Sequence, residues 1–273
     1  MTEFSKLGLI PDPEDSRDLS ISMVFEKRGV TQRPAKKVYK KEMTPVKDQG
    51  NRGTCVGFSS GAVKEWQETK EHEKEIAQGK KDHRRGRIYD FSEEWIYQHC
   101  KKIDGIPQSE GTTIRAAMKV IQKIGVPPEH AWPYMPTKQQ AKLTKCASWA
   151  PMTAYWHKGG YYFRVNTLDE LKTTLFEYGP VVGGAWVTDN FFNPADGIVD
   201  ISSNQRKYGG HAIALTGYND KTGLIQFKNS WGTSWGKNGY GLMTYEYYER
   251  YCIDVWCIVD ESIRKILHDL PEL

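Results

Sequence analysis

The sequence lacks any hydrophobic run long enough to cross a membrane, and its first ten residues do not form the apolar core of a signal peptide. It also lacks an Asn-x-Ser/Thr glycosylation sequon. Together with the methionine at position 1, these absences predict a cytoplasmic protein with no membrane partner. If a leader has been trimmed from the chain, a secreted protein is expected instead.

The sequence also has few cysteines and only a small net charge. The 273 residues include five cysteines, an odd number that leaves at least one thiol free, and no Cys-x-x-Cys pair. The seven histidines show no metal-like spacing, so the sequence predicts no metal and no cofactor. A net charge of +4 is too weak to indicate nucleic-acid binding. We interpret two basic clusters, residues 33–41 and 80–87, as solvated loops, with a surface for an anionic partner as the alternative.

The composition that remains is typical of a folded globular protein, with 38% apolar and 26% charged residues. Residues 1–43 contain Pro11, Pro13 and Pro34, which restrict helix formation. We therefore predict an extended N-terminal arm, and its density of charge predicts that it packs on the surface rather than in the core.

The rest of the chain changes character near residue 150. Residues 44–152 favour helix and residues 153–273 favour strand, which predicts an α+β fold of two lobes with a cleft between them. Apolar spacing and capping residues predict helices over 55–78, after Ser92, over 112–124 and over 168–178. Alternation and turn signals predict strands over 161–165, 181–187, 211–218, 224–228 and 239–245.

Cys55 is the first candidate for chemistry. It follows a glycine-rich loop and begins the first predicted helix. The positive end of a helix dipole favours the thiolate, which is the form of cysteine that attacks carbonyl groups. Taken alone, such a cysteine is more often a small buried apolar residue.

Three further residues fit the same chemistry. His211 begins a buried strand pattern after two glycines and could serve as a base, and Asn229 ends the next predicted strand. A hairpin between these strands would bring Asn229 close enough to accept a hydrogen bond from the imidazole. Gln49 lies six residues before Cys55, where its amide could donate to a developing oxyanion. Each residue alone has an ordinary structural interpretation; their combination favours catalysis.

At this point the sequence resembles the papain and cathepsin family of cysteine peptidases. Residues 45–50 and 53–59 are similar to the family's nucleophile segment, residues 210–218 to its histidine segment and residues 229–241 to its asparagine segment. The resemblance covers about residues 44–245. It implies a helical lobe and an antiparallel, barrel-like β lobe, with the active-site cleft between them.

The resemblance also implies roles for individual residues. Cys55 and His211 would form a thiolate–imidazolium pair oriented by Asn229, and Gln49 would help to stabilise the oxyanion. The substrate would be a peptide or protein, hydrolysed through a thioester. Trp231 would shield the bond between histidine and asparagine. The non-primed groove would be lined by Gly53, Gly111, Thr112 and the carbonyl of Gly210.

Several positions depart from the family pattern. Arg52 stands where the family usually has a cysteine, so Cys100, near the usual partner position, would lose its disulfide; this fits a reducing compartment. Val56 replaces an aromatic residue, and Thr112 replaces the second glycine of a pair. The arm is too short for the long inhibitory propeptide of secreted members, and residues 8–18 instead resemble the arm of prokaryotic, cytosolic relatives.

Three alternatives stay open on the sequence. An acyl transferase or peptide ligase would use the same thioester and differ only in its product. An exopeptidase would block one end of the groove, for which residues 80–87 or 268–273 are candidates. A non-catalytic binding module is the third alternative, although such proteins usually lose the nucleophile or the base.

Overall fold

The computed structural model describes residues 3–29, 32–79, 89–203 and 205–259. Within these ranges, no helix is both long enough and apolar enough to cross a membrane. The loop over 80–87 and the tail over 268–273, which the sequence offers as possible obstructions of the groove, lie outside the described residues. The α-helices are α1 Ser22–Arg28, α2 Cys55–Ala77, α3 Glu93–Ile103, α4 Ile114–Lys123, α5 Lys138–Ala141, α6 Ala150–Tyr155, α7 Leu168–Glu177, α8 Asp189–Phe192 and α9 Tyr245–Tyr251.

The long helix α2 begins at Cys55, as the sequence predicts, and its first half is buried. Gly57 and Gly61 allow α3 to approach closely, because a methyl group at Gly57 would lie 3.0 Å from the carbonyl oxygen of Glu93. The predicted N-cap of α3 is confirmed, since the hydroxyl of Ser92 accepts the N–H of Trp95 at 3.0 Å. The helix that begins at Cys55 therefore packs closely against α3.

A single mixed sheet dominates the second half of the chain. Its order is β2-β8-β3-β5-β6-β7-β4, and β1 pairs with β5 beside this path. Among the described strands the path ends at β2 and β4, so the sheet is open, unlike the barrel-like lobe that the resemblance implies. The strands are β1 Lys36–Val38, β2 Tyr161–Arg164, β3 Val181–Thr188, β4 Ile198–Val199, β5 Lys207–Asn219, β6 Leu224–Lys228, β7 Tyr240–Thr244 and β8 Cys252–Val259.

The N-terminal arm is part of both hydrophobic cores. Leu9 packs in the core that α2, α3 and α4 share with the sheet. Ile21 and Val24, three residues apart on or beside α1, are fully buried in the core of the β half. The prediction that the arm packs on the surface is therefore wrong. Several of its apolar residues are placed where the two halves can bury them.

Candidate functional site

Cys55 lies at the N-terminus of α2 and is fully buried. Its thiol faces backbone N–H groups of Ala212 in β5 and Gly8 in the arm, which lower its pKa. Burial acts in the opposite direction and is the larger effect, so the pKa of the thiol is raised to about 11. The thiol thus lies between the sheet and the arm.

His211 and Asn229 are brought together by β5 and β6. His211 Nε2 lies 2.7 Å from Asn229 Oδ1, which also accepts the N–H of Ser230 at 2.8 Å. The ring of Trp231 covers this bond, with its centroid 4.6 Å from that of the imidazole. Among the described residues, His211 Nδ1 has no hydrogen-bond partner. With Nε2 engaged by Asn229, Nδ1 is the nitrogen left to exchange a proton with a thiol.

Burial opposes the expected thiolate–imidazolium pair. Burial lowers the pKa of His211 to about 4 and raises that of Cys55 to about 11, so it favours the neutral form of each group. The physical reason is desolvation: both residues are shielded from water, which disfavours the charged form of each. The ion pair therefore stays a prediction for a site that water and substrate can reach.

The carboxamide of Gln49 is held on both sides. Its Oε1 accepts the hydroxyl of Ser230 at 2.7 Å, which directs Nε2 the other way. Nε2 donates to the carbonyl of Arg52 at 2.7 Å and to the carbonyl of Lys6 at 3.0 Å. One N–H therefore fixes the side chain, and the second is directed at a carbonyl oxygen from another part of the chain.

That carbonyl belongs to residues 6–10, which we call the cleft segment. The N–H of Leu9 donates to the carbonyl of Gly210 at 3.1 Å, and the N–H of Ile10 donates to the carbonyl of Thr112 at 3.0 Å. The N–H of Thr112 donates to the carbonyl of Gly8 at 2.9 Å. The predicted groove residues are therefore already bound to a peptide backbone, and that backbone is the chain's own arm.

Two further groove glycines contact the same segment. A methyl group at Gly53 would lie 3.2 Å from the Cα of Gly8, and one at Gly111 would overlap the carbonyl of Gly8. Since Gly111 has a φ of +86°, it is also strained for any larger residue. The structure thus places Gly53, Gly111, Thr112 and Gly210 along one line of contact with the arm.

The cleft segment is not set up for attack by Cys55. Gln49 binds the carbonyl of Lys6, whereas the thiol faces the backbone N–H of Gly8, two residues further along. The carbonyl at the candidate oxyanion donor and the peptide group at the thiol are therefore different groups. In this geometry the segment covers the site as an occupant rather than as a substrate.

Residues that follow the cleft segment anchor it. The N–H of Asp12 donates to Asp254 Oδ2, and the indole N–H of Trp256 donates to Asp12 Oδ2, both at 2.9 Å. Arg115 donates to the carbonyl of Pro13 at 2.5 Å. This role could not be predicted from the sequence, because contacts between residues more than 100 positions apart leave no periodic pattern. The one available signal was Gly8, a residue that lets backbones approach closely.

His211 should make the stability of the fold depend on pH. Its pKa is about 4 in the folded chain, compared with an ordinary value of 6.5. Between these pH values the unfolded chain binds more protons at this residue. The free energy of unfolding therefore rises with pH across this window, by about 3 kcal/mol from this residue. We expect His211→Asn to remove that rise, as measured by urea unfolding at a series of pH values.

The exposed His130 supplies a matched control, and His130→Asn should keep the wild-type slope. An unchanged slope in His211→Asn would show that His211 is not held neutral by burial.

Similarity to known proteins agrees with this geometry. A sequence model described as the papain family of cysteine proteases matches residues 32–258. An uncharacterised peptidase C1-like protein of Acanthamoeba polyphaga mimivirus is 30% identical over 232 residues, which make up 77% of this chain and 68% of that protein. A cathepsin L-like proteinase of Fasciola hepatica is 27% identical over 200 residues, covering 72% of this chain and 56% of that protein. The chain thus spans between about half and about two thirds of the length of these relatives.

Among solved structures, that of xylellain, a cysteine protease from Xylella fastidiosa, matches with a TM-score of 0.74. The sequence identity is 28%, and the match covers 95% of this chain and 98% of that one. The similarity therefore includes nearly the whole described fold and not only the segments around the candidate site.

Proposed function

Since the chain belongs to the papain family of cysteine proteases, we propose that it is an endopeptidase that cleaves peptide bonds through a thioester on Cys55. When the cleft segment leaves, water and substrate reach the thiol, and the desolvation that keeps His211 neutral is relieved. His211 Nδ1 then takes the thiol proton, and Asn229 keeps the ring oriented through Nε2.

The reaction follows from these positions. The thiolate attacks the substrate carbonyl carbon, and the oxygen becomes an oxyanion. Gln49 Nε2, freed from the carbonyl of Lys6, donates to that oxygen beside the N–H of Cys55. His211 protonates the leaving amine as the C–N bond breaks and a thioester forms. His211 then activates a water molecule that hydrolyses the thioester and restores the thiol.

One observation carries the choice of endopeptidase: the cleft segment is an internal stretch of chain. Before it, Phe4 stacks on Tyr208 with ring centroids 5.1 Å apart, and after it Asp12 is bound by Asp254 and Trp256. A groove that accepts a continuing backbone on both sides of the thiol suits cleavage within a chain. It does not need a free terminus, as an exopeptidase would.

The test uses peptides blocked at both ends by acetyl and amide groups. The enzyme form is a Gly8→Ala variant, because a methyl group at Gly8 would overlap the carbonyl of Gly53 and displace the cleft segment. We expect this variant to cut blocked peptides at internal bonds and to release a free carboxylate, as measured by product mass.

The other possible outcomes separate the alternatives. Cleavage restricted to peptides with a free terminus would identify an exopeptidase. A product that carries an added amine in place of the carboxylate would identify a transferase or ligase. If the variant binds blocked peptides without any product, the chain is a binding module and the proposal is wrong.

A further inference from the structure

Arg52 is a buried cation in the loop that leads to Cys55. Its guanidinium forms a two-pronged pair with Glu94 of α3, with Nη1–Oε2 at 2.5 Å and Nη2–Oε1 at 3.0 Å. The side chains are only 5% and 1% exposed, so the pair is shielded from water. All five cysteines, including Cys100, are free in the structure. The ion pair thus links the nucleophile loop to α3 without a covalent bond.

The guanidinium also fixes a third part of the fold. It lies over the ring of Tyr134, 4.8 Å from the centroid, and Nη1 donates to the carbonyl of Met135 at 2.9 Å. The hydroxyl of Tyr134 in turn donates to the backbone carbonyl of Gln49 at 2.7 Å. Arg52 therefore sets the position of Gln49 indirectly through Tyr134.

The backbone of Arg52 acts on Gln49 directly. The Arg52 carbonyl accepts one of the two hydrogens of Gln49 Nε2 at 2.7 Å. This bond, opposed by the hydroxyl of Ser230 on Oε1, determines where the second hydrogen points. A shift of the Arg52 backbone would turn the carboxamide, and an oxyanion donor loses its effect when it is misplaced by about 1 Å.

We propose that Arg52, locked by Glu94, is a positioning residue that aims the Gln49 amide at the oxyanion. The inference rests on the proposed function, in which Gln49 is the oxyanion donor. Lysine cannot replace Arg52 fully, because an ammonium group has neither the fork that matches a carboxylate nor the planar face that stacks on Tyr134.

The test compares kcat and KM for a blocked peptide in the Gly8→Ala background. Gln49→Ala sets the scale, since loss of one oxyanion donor lowers kcat by about 10²–10³-fold. We expect the double variant Arg52→Met/Glu94→Gln, which leaves no unpaired buried charge, to lower kcat by about 10-fold or more with KM nearly unchanged. Arg52→Lys should retain an intermediate kcat.

Two readouts distinguish positioning from general damage to the fold. When the double variant is combined with Gln49→Ala, it should lower kcat little further, because the donor that it aims is already gone. The rate at which iodoacetamide alkylates Cys55 should also stay unchanged, since alkylation forms no oxyanion. The control is Lys70→Met/Glu73→Gln, which removes a partly exposed pair on α2 and should leave both rates as they are.

Opposite results overturn the inference. If the double variant lowers kcat equally with and without Gln49, or slows alkylation to the same degree, Arg52 only supports the fold. If kcat does not change, Arg52 does not position the donor. If Gln49→Ala itself leaves kcat unchanged, both this inference and the proposed role of Gln49 are wrong, although Cys55-dependent cleavage would still stand.

Discussion

Replacing Cys55 by alanine in the Gly8→Ala background is expected to lower kcat for a blocked peptide by about 10⁶-fold, the scale on which loss of a covalent nucleophile acts. The reason is that, among the residues that the structure describes at the site, we expect no other group to form the acyl intermediate. His211 is engaged by Asn229, and the neighbouring hydroxyl of Ser230 is bound to Gln49. The residual rate should reflect only binding and the oxyanion donors.

Cys146 provides the matched control. It is partly exposed, and its thiol contacts only the carbonyl of Ala147 among the hydrogen-bonding groups described, at 3.5 Å. Cys146→Ala should therefore keep the full rate. A Cys55→Ala variant that retained more than about a hundredth of the activity would show that another nucleophile carries the reaction.

Displacement of the cleft segment should produce the largest gain in kcat/KM. Three backbone hydrogen bonds hold the segment to Thr112 and Gly210. At about 1 kcal/mol each they favour the covered site by about 3 kcal/mol, or about 100-fold. Gly8→Ala should remove most of this preference, because the new methyl group would overlap the carbonyl of Gly53. We expect kcat/KM for a blocked peptide to rise by up to about 100-fold over the wild type.

A second variant separates the effect of displacing the cleft segment from the effect of disturbing the loop at Gly53. Leu9 is 5% exposed, packs against the backbone of Gly184 and lies in the same hydrophobic core as Ile114. Leu9→Asp would place an unpaired carboxylate in this apolar site and should also expel the segment, without touching the nucleophile loop. Glu14→Ala, at an exposed position further along the arm, should behave as the wild type. If neither Gly8→Ala nor Leu9→Asp raises the rate, the arm does not limit access to Cys55.

The helix that carries Cys55 and the strands that carry His211 and Asn229 could be predicted, because each has a local signature. The glycine-rich loop precedes α2, and the turn near Asn219 joins β5 to β6, as the chain order requires. These elements need only short-range information. They are also the segments on which the resemblance to the family depends.

The position of the cleft segment over the site could not be predicted in the same way. Leu9 binds Gly210, about 200 residues away, through its backbone, and backbone hydrogen bonds leave no trace in side-chain patterns. The same is true of β1, which joins the sheet beside β5 with only three residues. Burial of Cys55 and His211, which shifts the pKa of each group towards its neutral form, is likewise a property of the folded chain and was beyond the sequence.

Labelling of Cys55 by an epoxide-type cysteine-protease inhibitor, followed by intact mass and peptide mapping, tests the central claim most directly. The proteins compared are the wild type, Gly8→Ala, and Gly8→Ala with Cys55→Ala, all under reducing conditions. A single adduct on Cys55 that forms faster in Gly8→Ala than in the wild type, and not at all without Cys55, is the predicted result. An adduct on another of the five cysteines, or equal labelling rates in the wild type and in Gly8→Ala, would contradict a covered site built around Cys55.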